Sequence, residues 1–170
     1  MATEYTPSAC DRPQETRRSC QTEGRKRIRY PSSSMPDGDP TPTVFERIGD
    51  APIATFAEEL YARIAADPLI RGMFSEDLSP TSEAVRDMRE FLIQFFGGPA
   101  RYSERKGHPR LRARHMRFPI TPDARNAWLA HAIAALQSAC ERHAIDARTS
   151  AEMRSYFEHA SAFMVNQSAS

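Results

Sequence analysis

The chain is poor in the residues that staple small folds. It has three cysteines and one tryptophan in 170 residues, and only seven glycines. Cys10, Cys20 and Cys140 are an odd set without C-x-x-C spacing, which excludes a disulfide scaffold and a cysteine zinc site. Charge of one sign is also lacking: the formal net charge is +1, so no global field points to nucleic acid or to a membrane. No apolar run approaches the length that crosses a bilayer. No G-x-G-x-x-G follows a strand pattern, so neither a flavin nor a nicotinamide domain is expected. The opening MATEYTPSACDRPQ has no apolar middle, and Glu4 and Asp11 speak against an organelle transit peptide. The expectation is a cytoplasmic chain with reduced thiols and no membrane span.

Residues 1–42 are rich in Pro, Ser, Thr and charge, with almost no aliphatic residues. Such a stretch buries too little apolar surface to offset its ordering entropy and reads as a disordered extension. Arg25, Lys26, Arg27 and Arg29 form a small basic cluster before Tyr30. That cluster reads either as a solvated run or as a contact for an anionic partner.

From residue 43 onward the pattern is helical throughout, and residues 43–170 read as one all-α domain. Asp50 is the expected N-cap of a helix carrying Ile53, Phe56, Ala57, Leu60, Tyr61 and Ile64, which stops near Pro68. Ser79 and Pro80 are expected to open the next helix, with Val85, Met88, Leu92, Phe95 and Phe96 on one stripe. Thr121-Pro122-Asp123 is a strong helix start leading to about His143. Leu129, Ile133, Leu136 and Cys140 form a second apolar side of that helix, central in the fold or covered in a homodimer. A last helix from about Arg148 bears Met153, Tyr156, Phe157, Ala160 and Phe163.

Between these helices lies GGPARYSERKGHPRLRARHMRFPI, residues 97–120. Gly97-Gly98-Pro99 stops the preceding helix, and a loop leads to a short helix bracketed by Pro109 and Pro119. Leu111, His115 and Phe118 share one face at helical spacing, which sets a single imidazole in an apolar wall. Around it stand Arg101, Arg105, Lys106, Arg110, Arg112, Arg114 and Arg117. An imidazole in an apolar wall ringed by cations suits a flat apolar ligand with a metal centre and acidic edges; haem has that chemistry. A lone histidine on an apolar face also reads as a satisfied core residue.

The run GG-P-x-x-Y-S-E-x-x-G-H-P-x-L-R-x-R-H-x-x-F-x-I resembles the proximal signature of group II truncated haemoglobins. The resemblance extends through Trp128 and back to Tyr61, over roughly Val44 to Asn166. It implies a two-over-two helical sandwich enclosing non-covalent haem b, with His115 as the iron ligand; C-x-x-C-H, the covalent attachment motif, is absent. It places Phe74, Met88, Leu92, Phe118 and Ile120 against the porphyrin; ionised propionates need cations, and Arg110, Arg114 and Arg117 are the nearest candidates in sequence. On the opposite side it places Tyr61 and Trp128 as donors to the gas, with Ala84 at the gate position. Dioxygen on ferrous iron gathers electron density, so each donor in a dry pocket adds about 1–2 kcal/mol. His115 must stay neutral and donate from its second nitrogen, for which a backbone carbonyl of the same segment is the natural acceptor. Phe74 and Met88 depart from the usual family residues, the first removing a donor and the second adding bulk near the iron.

The function that follows is binding of dioxygen, with NO and CO as further ligands, in oxygen transport or in detoxification of nitric oxide or peroxide. Turnover calls for an external reductase, so enzymatic activity is left open. A gas or redox sensor acting through a partner is the alternative. A third reading is a haem-free helical module whose basic run contacts phosphate; it predicts a colourless protein with salt-sensitive DNA binding, and nucleic acid is not the expected partner.

Overall fold

The computed structural model describes residues 41–168 apart from Glu76; the expected extension over residues 1–42 lies almost wholly outside the described residues. Seven α-helices follow in order: α1 (Val44–Ile48), α2 (Asp50–Ala65), α3 (Glu83–Phe95), α4 (Arg101–Lys106), α5 (Leu111–His115), α6 (Pro122–His143) and α7 (Ala147–Met164). A 3-10 turn, Arg71–Met73, sits in the corner between α2 and α3. No strand occurs among the described residues.

The core grows from α2. Ile53, Phe56, Leu60 and Ile64 recur at helical spacing and are fully buried. They face α6, where Ala132, Ala135 and Ala139 carry so little side chain that the two helices approach closely, and α2 with α6 is the most extensive helix contact. α3 packs on α2 and α7 on α6, so two helix pairs meet through α2 and α6 as a two-over-two sandwich. Phe56 and Phe157 stack flat at 4.6 Å in the middle of it. Burying each such ring contributes about 2–3 kcal/mol. Of the second apolar side of α6, Leu136 is buried, Leu129 and Cys140 are half-buried against the same core, and Ile133 is half-buried.

Helix starts follow local side-chain chemistry. Thr43 and Glu46 form a reciprocal capping box on α1. Thr121 takes the Ala124 amide at 3.2 Å, with Pro122 in the first turn of α6. Asp146 caps α7 through the Thr149 amide at 2.9 Å, and the Thr149 hydroxyl donates to the same carboxylate, holding it below the usual carboxylate range.

Two expected caps are displaced. Gly49, at φ +70°, is the N-cap of α2, and Asp50 is its first helical residue. The Asp50 carboxylate instead receives Arg89 at 2.7 Å and Arg101 at 3.1 Å. At the next helix Ser79 and Pro80 form a turn, and Ser82 caps α3 by accepting the Val85 amide.

The segment after α3 holds a helix that the sequence reading treats as loop. α4 carries Arg105 and Lys106 onto α3, with Arg105 2.5 Å from Asp87 and 2.7 Å from Glu90, and Lys106 2.5 Å from Asp87 and 2.8 Å from Glu83. Exposed pairs are weak singly; here five charges share one network. Gln94 adds a two-way bond to Ser103, through its amide to the hydroxyl and through its carbonyl from the amide. At the joint, Gly97 has φ +94°, and a side chain there would meet Thr43 at 2.6 Å. The neighbouring Gly98 lies where a Cβ would strike the Phe45 ring at 2.7 Å. These glycines let α1 close over the end of α3, where the Phe45 amide donates to the Phe96 carbonyl at 3.0 Å.

Candidate functional site

α5 is short and is fixed at both ends. Arg110, in the left-handed region at φ 43°, turns the chain into it, and its amide donates to His108 Nδ1 at 3.1 Å. His108 is thereby a turn residue. Within α5, His115 Nδ1 lies 2.7 Å from the Leu111 carbonyl oxygen. A carbonyl only accepts, so Nδ1 carries a proton, and Nε2 is the nitrogen left to offer a lone pair to a metal. His115 is half-buried, and so are Leu111, Phe118 and Ile120.

The chain after α7 returns to this segment. The Asn166 side chain takes the Ile120 amide at 3.0 Å and donates to the Phe118 carbonyl at 2.9 Å and the His115 carbonyl at 3.4 Å. The Asn166 amide donates to the Ile120 carbonyl at 3.0 Å. Sequence reasoning missed this residue. Its partners lie 46 to 51 positions away, and no local pattern marks an asparagine that satisfies the backbone of a distant turn.

Tyr61 lies on α2 with 7 % of its surface exposed. Its ring meets Phe74 edge-on at 5.9 Å, so the corner that carries Phe74 props the phenol. Burial, with a smaller contribution from the Asp87 carboxylate, pushes the phenol well above its ordinary value, so it stays a neutral donor. Among the described residues its hydroxyl makes no hydrogen bond. Trp128, on α6, rests against Phe157 at 6.3 Å and 73° and leaves its indole N–H similarly unused. Ala84 and Met88, one turn apart on α3, are half-buried at the edge of the core, whereas Leu92 on the same helix is almost fully covered.

The cations behave differently from one another. Arg110 and Arg114 are exposed; Arg114 also donates to the Lys106 carbonyl at 3.2 Å and lies over the Tyr102 ring at 5.8 Å. Arg112 turns away, bonding the Phe163 carbonyl and covering its ring at 4.8 Å. Arg117 covers Phe118 at 4.7 Å. Other histidines are engaged elsewhere: His131 with Asp67 at 2.6 Å, His143 with Thr55 at 2.8 Å and the exposed His159 with the Ser155 carbonyl at 2.6 Å.

Among the described residues no three His, Cys, Asp or Glu side chains converge as a metal site. A metal at His115 would take its remaining ligands from a macrocycle. The chemistry present fits haem: one imidazole held through Nδ1, apolar side chains beside it, exposed arginines on its own helix, and, on α2 and α6, two donors with no hydrogen bond among the described residues.

Residues 43–163 match the family model described as bacterial-like globin. Over 85 residues the chain is 42 % identical to group 2 truncated hemoglobin YjbI of Bacillus subtilis (strain 168), covering 50 % of this chain and 62 % of that protein, somewhat under two thirds of its length. The chain belongs to the bacterial-like globin family, in its group II truncated branch. The hemoglobin of the thermophilic phototroph Chloroflexus aurantiacus superposes on this globin with a TM-score of 0.68 at 44 % identity, covering 75 % of this chain and all of that one. The truncated oxygen-avid haemoglobin of Bacillus subtilis does so with a TM-score of 0.65 at 33 % identity, covering 74 % and 100 %. Membership of the globins implies a haem cofactor and the binding of diatomic gases. No helix among the described residues is long and apolar enough to cross a membrane.

Proposed function

We propose that this globin domain, residues 43–170, binds dioxygen, and also NO and CO, on non-covalent haem b ligated by His115 Nε2. The observation that carries the reading is the 2.7 Å bond from His115 Nδ1 to Leu111, which leaves Nε2 as the free donor of a half-buried imidazole. Haem iron supplies the centre at which a diatomic gas is held. The chain's own residues do the rest. Leu111 fixes the tautomer and orientation of the ligand. Phe74, Met88, Phe118 and Ile120 would give the porphyrin an apolar bed that excludes water, with Leu92 covered behind them, and Arg110 and Arg114 would neutralise its propionates. Tyr61 and Trp128 would offer an O–H and an N–H to a bound gas, where a low dielectric strengthens each bond. Ala84, with its single methyl, keeps the approach open.

Oxygen transport, or detoxification of nitric oxide or peroxide with electrons from a separate reductase, is the role we assign to this chemistry, in the cytoplasm. Support comes from the likeness to the oxygen-avid haemoglobin of Bacillus subtilis and from the Tyr61 and Trp128 donors, which have no hydrogen-bond partner among the described residues. A carbon monoxide titration of the reduced, haem-loaded chain tests the reading: a shifted Soret band saturating at one gas per chain is expected. Purified protein that takes up no stoichiometric haem would overturn it.

A further inference from the structure

Among the described residues, Asn166 is the one side chain outside residues 97–120 that hydrogen-bonds the backbone on both sides of the His115 turn. Its carboxamide oxygen accepts from Ile120 at 3.0 Å, and its nitrogen donates to the carbonyls of Phe118, at 2.9 Å, and His115, at 3.4 Å. The backbone adds two more bonds, from the amides of Asn166 and Gln167 to the Ile120 carbonyl at 3.0 and 3.2 Å. α5 is little more than one turn long, and a helix leaves its last carbonyls without amides of its own to accept from, so these need partners from elsewhere. The His115 carbonyl already accepts the Phe118 amide at 3.0 Å, and Asn166 meets its second lone pair. An asparagine amide is suited to this: it both donates and accepts from one planar group, so it can hold two strands of a turn at once.

We propose that Asn166 is a positioning residue for the His115 imidazole. Resting on the reading of His115 as the haem ligand, it extends that reading to the chain beyond α7. Leu111 sets which nitrogen carries the proton; Asn166 sets where the backbone of residue 115 stands and so where Nε2 is held. A residue in that place controls ligand geometry without touching the ligand's ring, and its loss is felt as a softer, more variable imidazole rather than as an unfolded domain.

The test compares full-length, haem-loaded wild type with Asn166→Asp, Asn166→Ser and Gln167→Ala. Asn166→Asp keeps the acceptor for Ile120 but sets a carboxylate against the two carbonyls; Asn166→Ser removes the reach without adding charge. Resonance Raman spectra of the ferrous proteins read the iron–histidine stretching band, and transfer of haem to apomyoglobin reads its rate of loss. Both Asn166 variants are expected to shift or split that band and to lose haem about 10-fold or more faster. Gln167→Ala, which keeps its backbone bond, is expected to match wild type. An unchanged band and haem-loss rate in folded Asn166 variants would overturn the proposal, as would a loss of thermal stability with the band unmoved. If wild type itself shows no iron–histidine band, it is the assignment of His115 that fails, and this proposal falls with it.

Discussion

The edge of one aromatic ring meets the face of another where Phe74 and Tyr61 approach to 5.9 Å, so the corner between α2 and α3 holds the phenol in place. Phe74 has no polar group with which to compete for that hydroxyl. In the proposed pocket the phenol therefore has the bound gas as its partner. Tyr61→Phe is expected to raise the oxygen dissociation rate about 5- to 10-fold, equivalent to about 1 kcal/mol, read by stopped-flow mixing. Phe74→Ala, which removes the prop but leaves the hydroxyl, is expected to raise it in the same direction.

Gly97 carries a backbone constraint and a steric one together. At φ +94° any L side chain is strained, and a Cβ would sit 2.6 Å from the Thr43 side chain that caps α1. Gly97→Ala is expected to destabilise the folded chain by about 1–3 kcal/mol, measured as a lower urea midpoint at unchanged slope.

The Asp50 carboxylate gives a pH-dependent contribution. Its bond from Arg89, with help from Arg101, holds it below its ordinary value of 3.8, so the ionised acid favours the folded state. That stability is fully present above the unfolded value and is lost as pH falls through the lower, folded value. Asp50→Asn is expected to be less stable than wild type near about pH 7, with the gap narrowing below about pH 4, followed by urea unfolding across that range.

Much of this architecture is legible locally. Thr121 and Pro122 announce α6, and the stripe from Ile53 to Ile64 announces the buried face of α2, because a cap and an amphipathic period act within a few residues. α4 is not legible in that way. RYSERK lacks an apolar stripe, and what fixes it is a set of ion pairs to Glu83, Asp87 and Glu90, on another helix. Asp50 misleads for the same reason: acids cap helices, but two arginines from α3 and α4 claim this one. At the site, His115 stands out by spacing and by its family pattern. Its support from Asn166 spans 51 positions and emerges only from the folded chain.

The most direct measurement is the absorption spectrum of ferrous His115→Gly beside wild type, each loaded with haem, with and without added imidazole. The account predicts that wild type shows a strong five-coordinate Soret band, that the variant loses or displaces it, and that free imidazole restores it by filling the cavity left by the ring. A variant whose spectrum and haem affinity match wild type without imidazole would contradict the assignment of His115 and, with it, the account of the site.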